Sequence, residues 1–373
     1  MFERNFWKKT CVCFVIILPV LYLLALFTND DKTDKKELSH SNEPHSQVVP
    51  KVTKIKTQGL ARYIGVSNLA FSADFGRPTQ VITSAENIEW QQYRWEDKTY
   101  MLVGINKYSA KVCAIYLLGE SPLASELKNG LKKRKLQQKF PLAMDLKLRS
   151  NEQTAQIKLN QTDIETKPLI AFKNGSYAVS YFSRVTKKVV AVEYLDKEEL
   201  LRSGLYQVSS QTPLPVRYST DVLSSDDQDT MIQGIWEVLT FERAQRKVAQ
   251  LSQSEVATAV AQRISQTLEN DPKKYLPKKQ LQQYQRLKAD RLNDVKVLQL
   301  KPNDISAQLL ADAQVEAARF EIYISGPVVN PAQLVATTGK NQSFWNKILF
   351  SKNTKIGFDY ENSCLIVVYD KNE

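Results

Sequence analysis

Residues 100–118 read YMLVGINKYSAKVCAIYLL. Tyr100 to Ile105 and Lys111 to Leu118 are apolar, β-branched and aromatic runs of strand length. The polar stretch Asn106 to Ala110 between them is short enough to reverse the chain. Such an arrangement predicts a β-hairpin. A second hairpin follows, with Tyr177 to Phe182 and Lys188 to Leu195 as its strands. Laid over each other at a shift of 77 residues, the two coincide at Tyr100/Tyr177, Lys111/Lys188, Val112/Val189, Ala114/Ala191, Leu118/Leu195 and Leu123/Leu200. This weak internal repeat predicts two similar α+β halves, with chance similarity of hairpins as the alternative. Upstream, Val66 to Phe75 predicts a short helix that stops at Gly76, with Pro78 beyond it.

Working outward, 59–208 reads as one strand-rich domain. Ser209 to Gln228, SSQTPLPVRYSTDVLSSDDQ, is rich in serine, proline and acids and marks a linker over 209–229. The remaining domain, 230–373, begins helical, with Ile232, Ile235, Trp236, Leu239 and Val248 mostly on one face. Ser254 to Leu268 predicts a second helix. Lys355 to Phe358 and Cys364 to Tyr369 predict a closing pair of strands around the turn Asp359 to Asn362. The fold class expected is α+β.

The chain has 373 residues, 43% hydrophobic and 24% charged. That is too polar for a polytopic membrane protein and too apolar for a disordered one. Its apolar extreme is Thr10 to Thr28, TCVCFVIILPVLYLLALFT, without a charge. This is long enough for a transmembrane anchor over 10–28. Arg4, Lys8 and Lys9 precede it, so residues 1–9 are expected in the cytoplasm and the rest outside. A cleaved signal peptide is the rival reading, but Ala25-Leu26-Phe27 is a poor cleavage site. The polar stretch 29–58 reads as a flexible linker. The expected protein is therefore single-pass in the cell membrane, with the membrane as a partner through this helix and its C-terminal region extracytoplasmic.

The net charge is +11. Outside a cell this excludes nucleic acid as a sensible partner and favours an anionic wall polymer or lipid head groups. The segment from Lys273 to Lys301 is the best candidate for an anion-facing surface, through Lys273, Lys274, Lys278, Lys279, Arg286, Lys288 and Arg291. A merely solvated helix is the alternative.

His40 and His45 are the two histidines of the chain, and both fall in the linker. Ser/His/Asp and Cys/His catalysis need an imidazole to accept the nucleophile's proton, so the folded region lacks both. No zinc-type ligand set is apparent either, and neither a metal nor a cofactor is expected. Cys113 and Cys364 sit in apolar strand runs and read as small buried hydrophobes. Ser125-Glu126-Leu127-Lys128 matches S-x-x-K, but its partner motifs are missing. Asp226-Asp227-Gln228-Asp229 reads as an acidic helix start. A two-carboxylate hydrolase stays open, because acids pair in space and not in sequence.

Tyr63-Ile64-Gly65-Val66, Phe75-Gly76-Arg77-Pro78, Trp90-Gln91-Gln92-Tyr93 and Tyr100-Met101-Leu102-Val103-Gly104 resemble the CAP-associated N-terminal domain of exported Gram-positive proteins. The lack of a disulfide framework agrees with that source. The C-terminal part resembles a degenerate CAP (SCP-like) domain, which implies an α/β/α sandwich. Trp236 to Arg243 looks like its opening helix. Ala261 to Leu268 is similar to a helix in which the family carries Ala-x-x-His-Ser, with Ile264 at the histidine. Glu321 to Gly326 is similar to the stretch Glu-Asn-Ile-Ala-x-Gly. In Lys340 to Leu349, Phe344 and Trp345 stand where the family has histidine and arginine, and Lys355 stands at a further histidine. The resemblance implies a cleft of two histidines and two acids. Here Glu321 alone is retained, so it is at most a weak catalytic candidate. Phe344 and Ile264 are expected to fill the cleft with apolar volume.

These readings combine into a membrane-anchored binding or scaffolding protein of the cell envelope, non-enzymatic, with a wall polymer or surface protein as partner. A carboxylate-dependent hydrolase and a carrier of an apolar ligand are the alternatives.

Overall fold

Apolar side chains on both sides of a strand require cover on both sides, and the hairpins quoted above obtain it from two different sources. A computed structural model of the chain describes residues 52–371, apart from 85, 96–97, 122, 124–125, 151–152, 185, 211–222, 290–295, 302–306, 313–318, 337–341 and 351–354. The first half comprises α1 (Asn68–Phe75), β1 (Gln80–Thr83), β2 (Ile88–Trp95), β3 (Thr99–Asn106) and β4 (Lys111–Gly119). It continues with α2 (Lys133–Lys139), β5 (Asp145–Ser150), β6 (Gln153–Lys158), α3 (Gln161–Thr166) and β7 (Leu169–Ala171). It ends with β8 (Tyr177–Phe182), β9 (Val189–Leu195), α4 (Lys197–Arg202) and β10 (Val208–Ser210). Seven strands form one antiparallel sheet in the order β1-β2-β3-β4-β9-β8-β7, and β10-β6-β5 form a smaller one.

The sequence repeat is a repeat of backbone geometry. Register shifts fall between Gly104 and Ile105 in β3 and between Tyr181 and Phe182 in β8, which are equivalent under the 77-residue shift. The turn residues Ala110 and Lys187, also equivalent, have φ of 51° and 54°. Their N–H groups donate to Asn106 O and Ser183 O, both at 2.9 Å. Isolated bridges join Ser67 to Lys111 and Lys132 to Lys188, and each of Ser67 and Lys132 stands at the N-cap of a helix, α1 and α2. The predicted helix begins at Asn68, after Ser67 caps it, and ends at Gly76, whose φ is 80°.

The second half comprises α5 (Ser225–Gln245), β11 (Ser252–Gln253), α6 (Glu255–Asn270), α7 (Pro272–Tyr275) and α8 (Lys278–Ala289). Next come β12 (Lys296–Leu300), α9 (Ala307–Asp312), β13 (Phe320–Gly326) and α10 (Pro331–Ala336). The last elements are α11 (Gln342–Phe350), β14 (Lys355–Glu361) and β15 (Cys364–Asp370). The sheet order is β11-β14-β15-β13-β12. Alternation along β15 sorts the layers. Cys364, Ile366 and Val368 pack with Ala257, Val260, Ile264 and Leu268 of α6. Leu365, Val367 and Tyr369 pack with Phe344 and Ile348 of α11 and with α5. The approach of α6 depends on Gly357 in β14, where a Cβ atom would lie 2.0 Å from Thr258 N and 2.2 Å from Ala257 C. The closing hairpin is tighter than its sequence suggests. β14 runs on to Glu361, and the turn is Asn362-Ser363 with φ of 49° and 63°. Two positive φ values match the strand twist, as in a type I′ turn.

One apolar core runs through both halves. Tyr100 and Leu118 of the seven-stranded sheet share it with Ile235, Leu239 and Phe241 of α5. The Tyr100 and Phe241 rings lie 5.7 Å apart. On the other face of that sheet, Met101, Val103, Ile115 and Leu117 pack against Leu60, Phe71, Leu136 and Phe140.

The expected membrane anchor is corrected here. Thr10 to Thr28 lies outside the described residues, and among the described residues no helix is long and apolar enough to cross a membrane. The 21-residue α5 is long enough, but it carries Asp226, Asp227, Asp229, Glu237, Glu242 and Arg243. The architecture of the described residues is α+β, and none of their elements is a transmembrane helix. The single-pass topology, the cell-membrane localisation, the membrane as partner and the membrane-anchored scaffold of the envelope expected from the sequence therefore have no support among the described residues. Nor have the wall polymer and surface protein named on that basis.

Candidate functional site

The acid singled out from the sequence, Glu321, lies on β13 opposite Tyr369 of β15. Strand alternation puts Glu321 and Tyr323 on one face, under α11. The Tyr323 hydroxyl donates to Glu321 Oε2 at 2.9 Å, and Lys347 of α11 donates to the same oxygen in an ion pair. The Lys347 ammonium also lies over the Tyr369 ring, 5.2 Å from its centroid. Phe344, 2% exposed, packs on Tyr323 with ring centroids 4.8 Å apart, and Tyr323 meets Tyr369 edge-on at 5.6 Å. Behind this layer, the buried Arg243 of α5 donates from Nε to Ala249 O at 2.6 Å and from Nη1 to Ile348 O.

The electrostatics follow from these contacts. Burial works to raise the Glu321 carboxyl. The hydrogen bonds from Lys347 and Tyr323 and the charges of Lys347 and Lys371 outweigh it, and the carboxyl is held below its ordinary value. Such a group is an ion-paired carboxylate at neutral pH. It holds no proton to donate, and its basicity is reduced. The ionic groups that shift it are both lysines. A hydrolytic carboxylate pair needs the opposite, one acid raised by its neighbour.

Ile264 does not join this site. It is 1% exposed in the α6 layer, and the sheet stands between it and Phe344. The motif match placed it correctly along a helix but could not fix the sheet face that the helix covers. Lys355 opens β14 opposite Asp370, which Arg319 holds with a fork of bonds at 2.6, 3.0 and 3.2 Å. Among the described residues no group of three His, Cys, Asp or Glu side chains could hold a metal ion.

Two acids on the α6 side escaped the sequence reading because they were assigned to a turn. Asp359 and Glu361 are two apart on β14, and the Ser265 hydroxyl of α6 donates to Glu361 Oε2 at 3.2 Å. Burial raises both carboxyls, with Glu269 adding to the effect on Glu361 and Asp229 to that on Asp359.

The basic surface expected from the sequence lies on α7 and α8. Lys273, Lys278, Lys279 and Arg286 are exposed. Lys274 is engaged by Tyr275 at 2.8 Å and Asp312 at 3.3 Å, and Lys288 is paired with Glu269. Arg291 lies outside the described residues. Asp226 and Asp227 occupy the first turn of α5, where Ser224 caps it. Cys113 and Cys364 are buried free thiols, and burial pushes Cys364 up to about 12.

Residues 64–206 match the family model described as CAP-associated N-terminal. The chain is similar in fold to an extracellular protein containing a SCP domain from Bacillus anthracis str. Ames. That likeness has a TM-score of 0.61 at 18% identity and covers 91% of this chain and 99% of that one. It is also similar to a cysteine-rich secretory protein from Staphylococcus aureus subsp. aureus Mu50. There the TM-score is 0.63 at 16% identity, over 85% of this chain and 94% of that one. At these identities the two structures speak for the fold. No curated protein matches the sequence.

Proposed function

We propose that this chain, a CAP-associated N-terminal domain followed by a CAP/SCP-like domain, is a non-enzymatic extracellular protein whose CAP-like half acts through a preformed surface and not through a reactive cleft. The observation that carries the reading is the state of Glu321. Its carboxylate is committed to Lys347 and Tyr323, and the Tyr323 ring packs on the buried Phe344. Acid–base work needs a pKa near the operating pH, and this carboxyl is moved away from it. The apolar-carrier alternative loses support because Phe344 is buried against Tyr323 and does not line an open apolar cleft among the described residues. The likeness to a Bacillus anthracis protein described as extracellular supports the compartment. The contact surface under this reading is the exposed set Lys273, Lys278, Lys279 and Arg286, suited to a negatively charged partner.

Two measurements test it. The full chain and Glu321→Gln are compared on peptide, ester and glycoside substrates, and no turnover above that of the variant is expected. A Glu321-dependent rate would sink the reading. Retention on phosphocellulose across a salt series is expected to drop when the four exposed cations are changed to glutamate. Unchanged retention would remove the surface assignment.

A further inference from the structure

The N-terminal domain carries an opening that no part of the foregoing reading uses. A pocket of about 680 Å³ is lined by Arg94 and Trp95 at the end of β2, Lys98 before β3, Glu120 after β4, and Lys128 and Asn129 before α2. That volume lies within the range of roughly 300–1,000 Å³ typical of small-ligand sites. We infer that this pocket binds an acidic saccharide, a sugar ring bearing one carboxylate or phosphate.

The walls are held in place before any ligand arrives. The Trp95 indole stacks on Tyr93 with centroids 5.8 Å apart and planes at 14°, and it also meets Phe75 at 5.9 Å. Arg94 is fixed by Glu237 of α5 at 2.9 Å. Glu120 N–H donates to Lys98 O at 2.8 Å. Gly119, with φ of 75°, makes that approach feasible, since a Cβ there would lie 2.2 Å from the same carbonyl oxygen. Asn129 Nδ2 donates to Val190 O at 2.9 Å, which fixes its amide. A pre-ordered wall loses little freedom on binding.

The unsatisfied chemistry of the pocket describes its ligand. Lys98 and Lys128 are exposed and make no ion pair among the described residues, whereas the charge of Arg94 is already met by Glu237. Two ammonium groups against the single Glu120 carboxylate leave a net positive charge at the opening, which attracts an anion. The exposed Glu120 carboxylate lines the same opening and makes no ion pair among the described residues, so the wall also presents an acceptor for a hydroxyl donor. The indole presents an apolar, electron-rich surface suited to the C–H groups of a sugar ring. Anion, hydroxyl donor and flat C–H face occur together in an acidic sugar. A bare anion satisfies only the first requirement.

The experiment titrates the full chain with glucose 6-phosphate, glucuronate, glucose and inorganic phosphate, read by intrinsic tryptophan fluorescence. Saturable change with one or both acidic sugars is expected, and which one responds tells phosphate from carboxylate. Glucose and inorganic phosphate should each bind at least tenfold more weakly. Lys98→Glu/Lys128→Glu should weaken the acidic sugar at least tenfold with the unfolding midpoint unchanged. Failure of both acidic sugars to bind, equal binding of glucose or inorganic phosphate, or an unaffected variant would each overturn the inference. No residue of the Glu321 site or the α7–α8 face takes part, so the outcome is independent of the proposed function.

Discussion

The surroundings of Glu321 and of Trp95 make opposite use of similar side chains. At Glu321 an acid, a lysine, two tyrosines and a phenylalanine are engaged with one another, and the buried Phe344 backs the Tyr323 ring while the ion pair stays partly exposed. At Trp95 the aromatic ring is supported from behind, and two lysines and Glu120 stand at an opening without forming an ion pair among the described residues. The first region spends its polar groups on one another, and the second leaves charged groups unpaired among the described residues at an opening. Whether chemistry is available at a site depends on how many of its polar atoms remain uncommitted.

Substitutions can break or sharpen this contrast. Phe344→Ala should have the largest effect, lowering unfolding free energy by about 3–5 kcal/mol, because it leaves a void over Tyr323. Urea denaturation checks it, and a loss below about 1 kcal/mol would mean the closed site is loosely packed. Gly357→Ala should cost about 3 kcal/mol by forcing α6 off the sheet, visible as a lower thermal midpoint. Lys347→Met should cost about 1 kcal/mol, a figure already reduced for the partial exposure of the pair. Its pH dependence is more informative. A carboxyl held low in the folded state adds stability above its unfolded pKa, and that stability is lost as pH falls through the depressed value. The Lys347→Met deficit should therefore be present at neutral pH and shrink in acid.

The Asp359 and Glu361 carboxyls carry the reverse sign. Both are raised by burial, so stability falls as pH rises from the unfolded carboxylate pKa through the folded value. Asp359→Asn/Glu361→Gln should flatten that fall, by at most about 1 kcal/mol between pH 4 and 8. A pH profile of the thermal midpoint decides it. Lys98→Glu/Lys128→Glu should change stability least, within about 0.5 kcal/mol, because exposed side chains at an open pocket support nothing. A larger loss in urea would show that the pocket, too, is structural.

Much of this fold is written locally in the chain. Strand-length apolar runs, the Gly76 stop and the repeated hairpin are visible in residues close in sequence, and all appear as elements. The absence of histidine from the folded region is a matter of composition. What escaped was non-local. Lys347 meets Glu321 across a helix–sheet contact that no spacing encodes. Ile264 lies on the opposite side of the sheet from Phe344, because helical position does not select a sheet face. Asp359 and Glu361 were read as a turn because Asn362-Ser363 achieves its left-handed turn without glycine. The pocket draws its walls from three separated segments, so no single window of sequence contains it.

The seam between β4 and β9 has a consequence for how this domain is put together. Ala114 pairs with Leu195 and Leu118 with Ala191, and the 77-residue shift exchanges these two pairs. Tyr116 faces Glu193, and the same shift exchanges each of these for the other's position. That is the rule of an isologous dimer interface, in which residue i meets j and j meets i about a twofold axis. The domain is thus a symmetric dimer written in one chain, with its axis between Tyr116 and Glu193. On that axis a true homodimer must repeat one residue. A single chain is free to set a tyrosine against a buried glutamate, which takes a hydrogen bond from the Tyr181 hydroxyl.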